Sequence, residues 1–274
     1  HSKYGRMIYA HGEDELYVNL FIPSVLTWKE NDVEVIQENN FPTEPKTRLT
    51  INPEKEQKFT VNLRCPSWAT EGEMNIQVNG KKIRTEPSPG SYVSITRVWK
   101  KGDKITMELP MHITAEQMPD SSNYYSFKYG PLVLAAKTDT AQMEGMFADA
   151  SRGGHIPDGP KRPLQNMPII ESEPEKISNK VEPVQGEPLT FLINNLRSNP
   201  YGKLKLKPFS RMDECRYIIY WRSETSESIR KIRDKMAAEQ ERQQQVEKNT
   251  IDRVYPGEQQ PESDHFIQFE QSEI

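Results

Sequence analysis

Between residue 13 and about residue 118, apolar side chains return at every second position, and this period constrains the fold more than any other feature. In Glu15-Leu16-Tyr17-Val18-Asn19-Leu20-Phe21, the residues Leu16, Val18 and Leu20 fall on one face. The same pattern marks strand candidates at Val33–Gln37, Thr47–Ile51, Lys58–Leu63, Met74–Val78, Tyr92–Ile95 and Lys104–Leu109. A period of two places alternate side chains on opposite faces, so each strand buries one face and wets the other. Turn signals separate the runs. Asn79-Gly80 is a two-residue hairpin signal between Asn75–Val78 and Lys81–Arg84, and Pro89-Gly90 and Lys101-Gly102-Asp103 mark further turns. Short strands at spacings of roughly ten residues indicate an antiparallel β-sandwich or jelly roll rather than a parallel sheet.

A second β segment opens near Pro119. Tyr124–Tyr129 and Leu132–Ala136 flank Gly130-Pro131. Residues 138–189 are irregular and proline-rich, and a stretch of that length is either functional or an ordered crossover. Strand signals return at Leu189–Asn194, Lys203–Lys207 and Arg216–Trp221, where Tyr217, Ile219 and Trp221 would share a face. Residues 223–248 read as a helix capped by Ser223, with a narrow stripe of Ile229, Ile232 and Met236 among charged and amide residues, hence exposed on most sides. The expected organisation is mostly β: two antiparallel, jelly-roll-like β-sandwich domains at 13–118 and 119–222, an exposed helix at 223–250, and a polar linker at 251–274.

The first residues break the period. Tyr4, Met7, Ile8 and His11 fit a helical stripe, stopped by His11-Gly12. Residues 1–12 are thus expected to be the tail of a helix. His1-Ser2-Lys3 carries no initiator methionine or signal-peptide core, and reads like the inside of a longer chain. The formal net charge is −4, and basic residues are balanced by nearby acids, which gives no footprint for nucleic acid. No apolar run approaches the roughly 20 residues of a membrane-spanning helix, so no membrane partner is expected. Cys65 and Cys215 are too few for a disulfide framework, and no metal-binding motif occurs, so no cofactor or metal is expected in this chain.

Candidate functional residues are sparse, and none is assigned as catalytic. Carboxylates abound, but nothing in the sequence pairs them at the separation glycoside hydrolysis requires. Cys65, in Arg64-Cys65-Pro66-Ser67-Trp68-Ala69, ends an alternating strand and reads as a packed thiol. Trp68 could stack on a sugar or close the end of a sandwich. In Ser151-Arg152-Gly153-Gly154-His155, two glycines would let backbone approach a ligand held by Arg152 and His155; a plain flexible loop is the alternative. Trp68, Arg152 and His155 are therefore the carbohydrate-binding candidates.

Several segments, in order, resemble one family. They are Leu16-Tyr17-Val18-Asn19-Leu20-Phe21-Ile22-Pro23-Ser24, Leu63-Arg64-Cys65-Pro66-Ser67-Trp68-Ala69, Val78-Asn79-Gly80-Lys81, Gly90-Ser91-Tyr92-Val93, Arg97-Val98-Trp99-Lys100-Lys101-Gly102-Asp103, Leu109-Pro110-Met111 and Tyr129-Gly130-Pro131-Leu132-Val133-Leu134-Ala135-Ala136. Together they resemble glycoside hydrolase family 127, the β-L-arabinofuranosidase family, over about residues 1–222. The resemblance implies an (α/α)6 barrel followed by β-sandwich domains, which would make residues 1–12 the tail of a severed barrel helix. It also implies a retaining mechanism in that barrel, with a zinc-bound cysteine nucleophile and a glutamate acid/base. The family's paired cysteines precede the stretch matching His1-Ser2-Lys3-Tyr4-Gly5, so neither Cys65 nor Cys215 matches a catalytic position. What the resemblance implies is a non-catalytic accessory portion of a secreted or periplasmic enzyme acting on plant-type glycans, whose partners are its catalytic barrel and an oligosaccharide. The other reading is a stand-alone carbohydrate-binding module.

Overall fold

The structure, a computed structural model, describes residues 3–85, 87–143, 167–197 and 199–250. Residues 1–223 form one unit and residues 224–274 a second.

The first region of the larger unit is a two-layer β structure. One layer is a four-stranded sheet in the order β1 (Tyr9–His11), β2 (Glu15–Val18), β6 (Gln57–Arg64), β9 (Tyr92–Trp99). The other is a six-stranded sheet in the order β3 (Ser24–Trp28), β4 (Val33–Asn39), β5 (Lys46–Pro53), β10 (Asp103–Glu108), β7 (Asn75–Val78), β8 (Lys81–Lys82). The alternation read from the sequence is the burial seen here: Leu16, Val18, Phe59, Val61 and Ile95 from one sheet share a core with Val35, Leu49, Ile51, Ile76 and Ile105 from the other. Trp28 and Trp99 are buried in the same core, and Trp99 donates its Nε1 hydrogen to the Phe59 carbonyl at 3.0 Å. Buried Gln37 donates to the Leu20 and Ile22 carbonyls at 3.0 and 2.9 Å, pinning the crossing between the sheets.

At one turn the chain is clamped electrostatically. Asp103 accepts from Asn79 Nδ2 at 2.7 Å and from the Lys100 amide at 3.0 Å, with the Arg97 guanidinium 3.7 Å away. Burial pushes the Asp103 carboxyl up, but these donors and the nearby positive charge outweigh it and hold the group below the usual carboxylate range. Asn79 and Gly80 have φ of 51° and 77°, the left-handed pair that a two-residue hairpin demands.

Two expectations for this region are corrected. Residues 3–12 are not a helix tail: only Tyr4–Met7 makes a 3-10 turn, and Tyr9–His11 is strand β1, antiparallel to β2 with Ala10 opposite Tyr17. The reason is the Gly12-Glu13-Asp14 turn, closed by the Gly12 amide on the Glu15 carbonyl at 2.9 Å, which folds the preceding backbone onto β2. Eight residues are too few for a helical spacing to outweigh that pairing. Within the antiparallel sandwich one described pair is parallel: β2 runs with β6, with Tyr17 opposite Asn62. Residues 19–56 lie between them and pass through the other sheet, long enough to reverse the direction of return. Finally, the boundary is not at Pro119. Leu109 is the last residue of the first core, and β11 (Ile113–Gln117) pairs with β12 (Tyr124–Tyr129) in the second region. Pro119-Asp120 is that hairpin's turn, closed by the Met118 amide on the Tyr124 carbonyl at 2.9 Å.

The second region is a ten-stranded arrangement whose main path is β15 (Val181–Pro183), β16 (Phe191–Ile193), β18 (Lys205–Pro208), β13 (Leu132–Lys137), β12, β20 (Tyr220–Glu224), β14 (Ile169–Glu171), β17 (Leu196–Arg197), with β11 on β12 and β19 (Tyr217–Ile218) on β13. Strand β13 makes the corner: its first residues pair with β12, and Leu134–Ala136 pair with β18. The core gathers Phe127, Leu134, Ile170, Phe191, Leu206 and Trp221. The stretch expected to be one irregular loop at 138–189 holds β14, a 3-10 segment at Pro174–Lys180 and β15 in its described part. The expected strand Arg216–Trp221 breaks at Ile219, because β19 pairs with β13 whereas β20 pairs with β12; Tyr217 is exposed and Trp221 buried.

The two cores are joined by Leu109–Ile113. Met111 packs under Gly130, whose φ is 54° and whose added Cβ would lie 2.6 Å from Met111 Sδ. The Gly130 amide donates to the His112 carbonyl at 3.2 Å, and the His112 ring meets Glu73 at 2.5 Å.

In the smaller unit, helix α1 spans Ser226–Asn249 and buries none of its residues. Its cap is Thr225, not Ser223: Thr225 Oγ1 accepts from the Ser228 amide at 3.2 Å. Ser223 is instead a buried residue of β20. The linker expected at 251–274 lies outside the described residues.

Candidate functional site

Of the three carbohydrate-binding candidates, the structure places one. Trp68 is half-buried against the first core, its ring stacked on Phe41 at 6.2 Å and 20°. Phe41 in turn meets Phe21 edge-on at 5.8 Å. One face of the indole is thereby taken up by packing. Arg152 and His155 lie outside the described residues.

The cysteines are separate free thiols, both buried. Burial alone pushes the Cys65 thiol up, which disfavours the thiolate that nucleophilic or metal chemistry needs. Among the described residues no three of His, Cys, Asp and Glu converge as metal ligands. No described helix is long and apolar enough to cross a membrane.

A constellation that sequence reading missed lies on the outer face of the four-stranded sheet. Tyr17 on β2 and Tyr92 on β9 have ring centroids 5.4 Å apart at 89°. Their strands are not neighbours, because β6 lies between them. Strands two apart are separated by about 9.6 Å, so both rings lean inward over β6. On β6, Asn62 lies opposite Tyr17 on one side and Ser94 on the other, and Arg64 lies opposite Tyr92. Although it belongs to the outward face, Asn62 is only 4% exposed. Its Oδ1 accepts from Ser94 Oγ at 2.6 Å, and its Nδ2 is buried without a partner. A buried donor left unmet costs about 1–3 kcal/mol.

The surrounding groups are polar, and Glu15, Lys58 and Arg64 are charged. Tyr92 donates its hydroxyl hydrogen to Asn19 Oδ1 at 2.6 Å, and Thr60 and Thr96 share a hydroxyl contact at 2.8 Å. Tyr17 donates to Glu15 at 2.7 Å, and that carboxylate holds the Tyr17 phenol above its usual range. The strands carrying these residues were legible as alternating runs. Their convergence was not, because it depends on β2 and β9 flanking β6.

The comparisons with known proteins follow this architecture. Residues 15–111 match the family described as β-L-arabinofuranosidase, GH127 middle domain. Residues 114–223 match a domain of unknown function, DUF4986, and residues 245–274 a further family of unknown function, DUF6805. The edge between the first two matches, at 111 and 114, falls where one core ends and the next begins. Among solved structures, a GH127 β-L-arabinofuranosidase from Geobacillus stearothermophilus T6 aligns at 20% identity and a TM-score of 0.54, over 81% of this chain and 36% of that one. A structure titled glycoside hydrolase aligns at 20% identity and 0.52, over 78% of this chain and 37% of that one. The chain spans little more than a third of the length of these structures. No curated protein matches the sequence. The class is thus a mostly-β protein whose fold is similar to these glycoside hydrolase structures over about four-fifths of its length. More particularly, the residues of its first sandwich match the GH127 middle-domain model that the ordered motifs of the sequence resemble.

Proposed function

We propose that this chain is the non-catalytic β-sandwich portion of a glycoside hydrolase whose catalytic barrel cleaves β-L-arabinofuranosides of plant-type glycans. The observation that carries this reading is the GH127 middle-domain match across 15–111, seated on a sandwich with its own closed core. The described residues add one support: both thiols are packed away. The zinc and the cysteine nucleophile would belong to the barrel, which is the chain's principal partner in this reading.

The test is an assay of the purified chain on an aryl β-L-arabinofuranoside, with and without added zinc. The expected result is release no faster than the uncatalysed blank in both conditions. Turnover that vanishes on Cys65→Ser or Cys215→Ser would overturn the reading. A second reading, a carbohydrate-binding module acting by itself, is favoured by one observation: the exposed tyrosine face over Asn62.

A further inference from the structure

We propose that the outer face of the β1–β2–β6–β9 sheet binds a neutral oligosaccharide, with Tyr92 as the stacking surface and Asn62 as the buried hydrogen-bond donor. The inference deepens the second reading above and names the surface it would use.

The geometry supplies the two things such a ligand needs. A sugar presents C–H faces and hydroxyls, so its site pairs an aromatic ring with fixed polar groups. Tyr92 is 42% exposed, and its phenol, already committed as a donor to Asn19, keeps oxygen lone pairs to accept from a sugar hydroxyl. The Asn19 amide, whose oxygen receives that bond, presents its Nδ2 hydrogens as donors. Ser94 and Thr96 lie exposed on β9 alongside Tyr92. Asn62, opposite Tyr17, carries the unmet Nδ2. Rotation of Tyr17 away from Tyr92 uncovers the amide and presents it to a ligand oxygen while Tyr92 stays bonded to Asn19, so the donor is satisfied only in the bound state.

The same face argues against other occupants. A phosphate-rich ligand would need a cluster of cations; the face offers Lys58 and Arg64, with Glu15 opposing them. A protein partner would favour an apolar centre, and beside the tyrosines this sheet exposes only Val98 as a large apolar side chain.

The experiment is titration of the whole chain with arabino-oligosaccharides, followed by calorimetry and by amide chemical shifts. Saturable binding is expected, with shifts on β6 and β9. Tyr92→Ala should weaken it at least tenfold, and Trp68→Ala should leave it within twofold. Thr96→Lys, a surface change on the same face, guards against misreading a folding defect: it should block binding with the rest of the spectrum unchanged. Absence of saturable binding at millimolar sugar overturns the proposal. So does binding that survives both Tyr92→Ala and Thr96→Lys, or binding lost on Trp68→Ala alone. Failure here leaves the accessory reading standing, since that reading is judged by hydrolysis. Turnover in the hydrolysis assay would leave these binding ratios unaffected.

Discussion

The two sandwiches solve the same problem with different materials. The first uses three strands of eight residues, Lys46–Pro53, Gln57–Arg64 and Tyr92–Trp99, paired in continuous register across two sheets. The second has no described strand longer than six residues, and several of two or three. In the first, backbone ladders and core packing reinforce each other along each strand. In the second, short ladders are held in place by side chains that converge on Phe127, Leu206 and Trp221. The contrast teaches that ladder length and core closure are separable: a region can close a full core while most of its strands pair over only a few residues.

The sharpest way to break this comparison is to empty each core in turn. Phe59→Ala and Phe127→Ala each remove a fully buried ring and should each cost about 3–5 kcal/mol. Because the rings lie in different clusters, denaturant unfolding of the double variant should show additive losses to within about 0.5 kcal/mol. A coupling well above that would mean a single shared core.

The joint comes next. Gly130→Ala must accept a left-handed φ and push its Cβ into Met111. Together these should cost about 3 kcal/mol. Adding Met111→Ala should return the steric share relative to Met111→Ala alone, leaving about 1–2 kcal/mol of backbone strain in the thermodynamic cycle. No rescue would mean that the clash is not where the structure puts it.

A smaller effect separates the first region electrostatically. Asp103→Ala should lose about 1.5–3 kcal/mol as the Asn79 and Lys100 donors go unmet. The sign of the pH dependence follows from the depressed carboxyl. Its contribution is complete above the unfolded value of about 3.9 and is lost as pH falls through the lower folded value. Acid titration of stability should therefore show a steeper fall in the native chain than in Asp103→Asn. Equal slopes would contradict the clamp.

The smallest expected change lies outside both sandwiches. Thr225→Ala removes the hydroxyl cap of α1 and should cost about 1 kcal/mol, read as lost helicity in far-ultraviolet circular dichroism, with the strand signal unchanged. A loss spread to the strand signal would mean that the cap supports more than the helix.

The same contrast explains what the sequence reveals. Val33–Gln37 reads as a strand and extends to Asn39, and Tyr124–Tyr129 coincides with its observed bounds, because long alternation leaves little freedom. Tyr9–His11 and Ser24–Trp28 escape reading as strands, since the first is three residues long and the second is an edge strand with little buried on it. The parallel pairing of β2 with β6 has no local signature, because it is decided by the path of residues 19–56 through the other sheet. The candidate site divides likewise. Trp68 stands out by composition and proves to be stacked on Phe41, whereas Tyr17 and Tyr92 look like ordinary outward residues until the fold sets them either side of β6.

The most direct test of the two-core account is native-state hydrogen exchange under rising, sub-denaturing urea, on the whole chain and on Phe127→Ala. The account predicts two separate urea dependences: one shared by amides of Val33–Asn39 and Lys46–Pro53, another shared by those of Tyr124–Tyr129 and Leu132–Lys137. Phe127→Ala should lower protection in the second group and leave the first in place. A single dependence common to all four strands, lowered uniformly by Phe127→Ala, would contradict it.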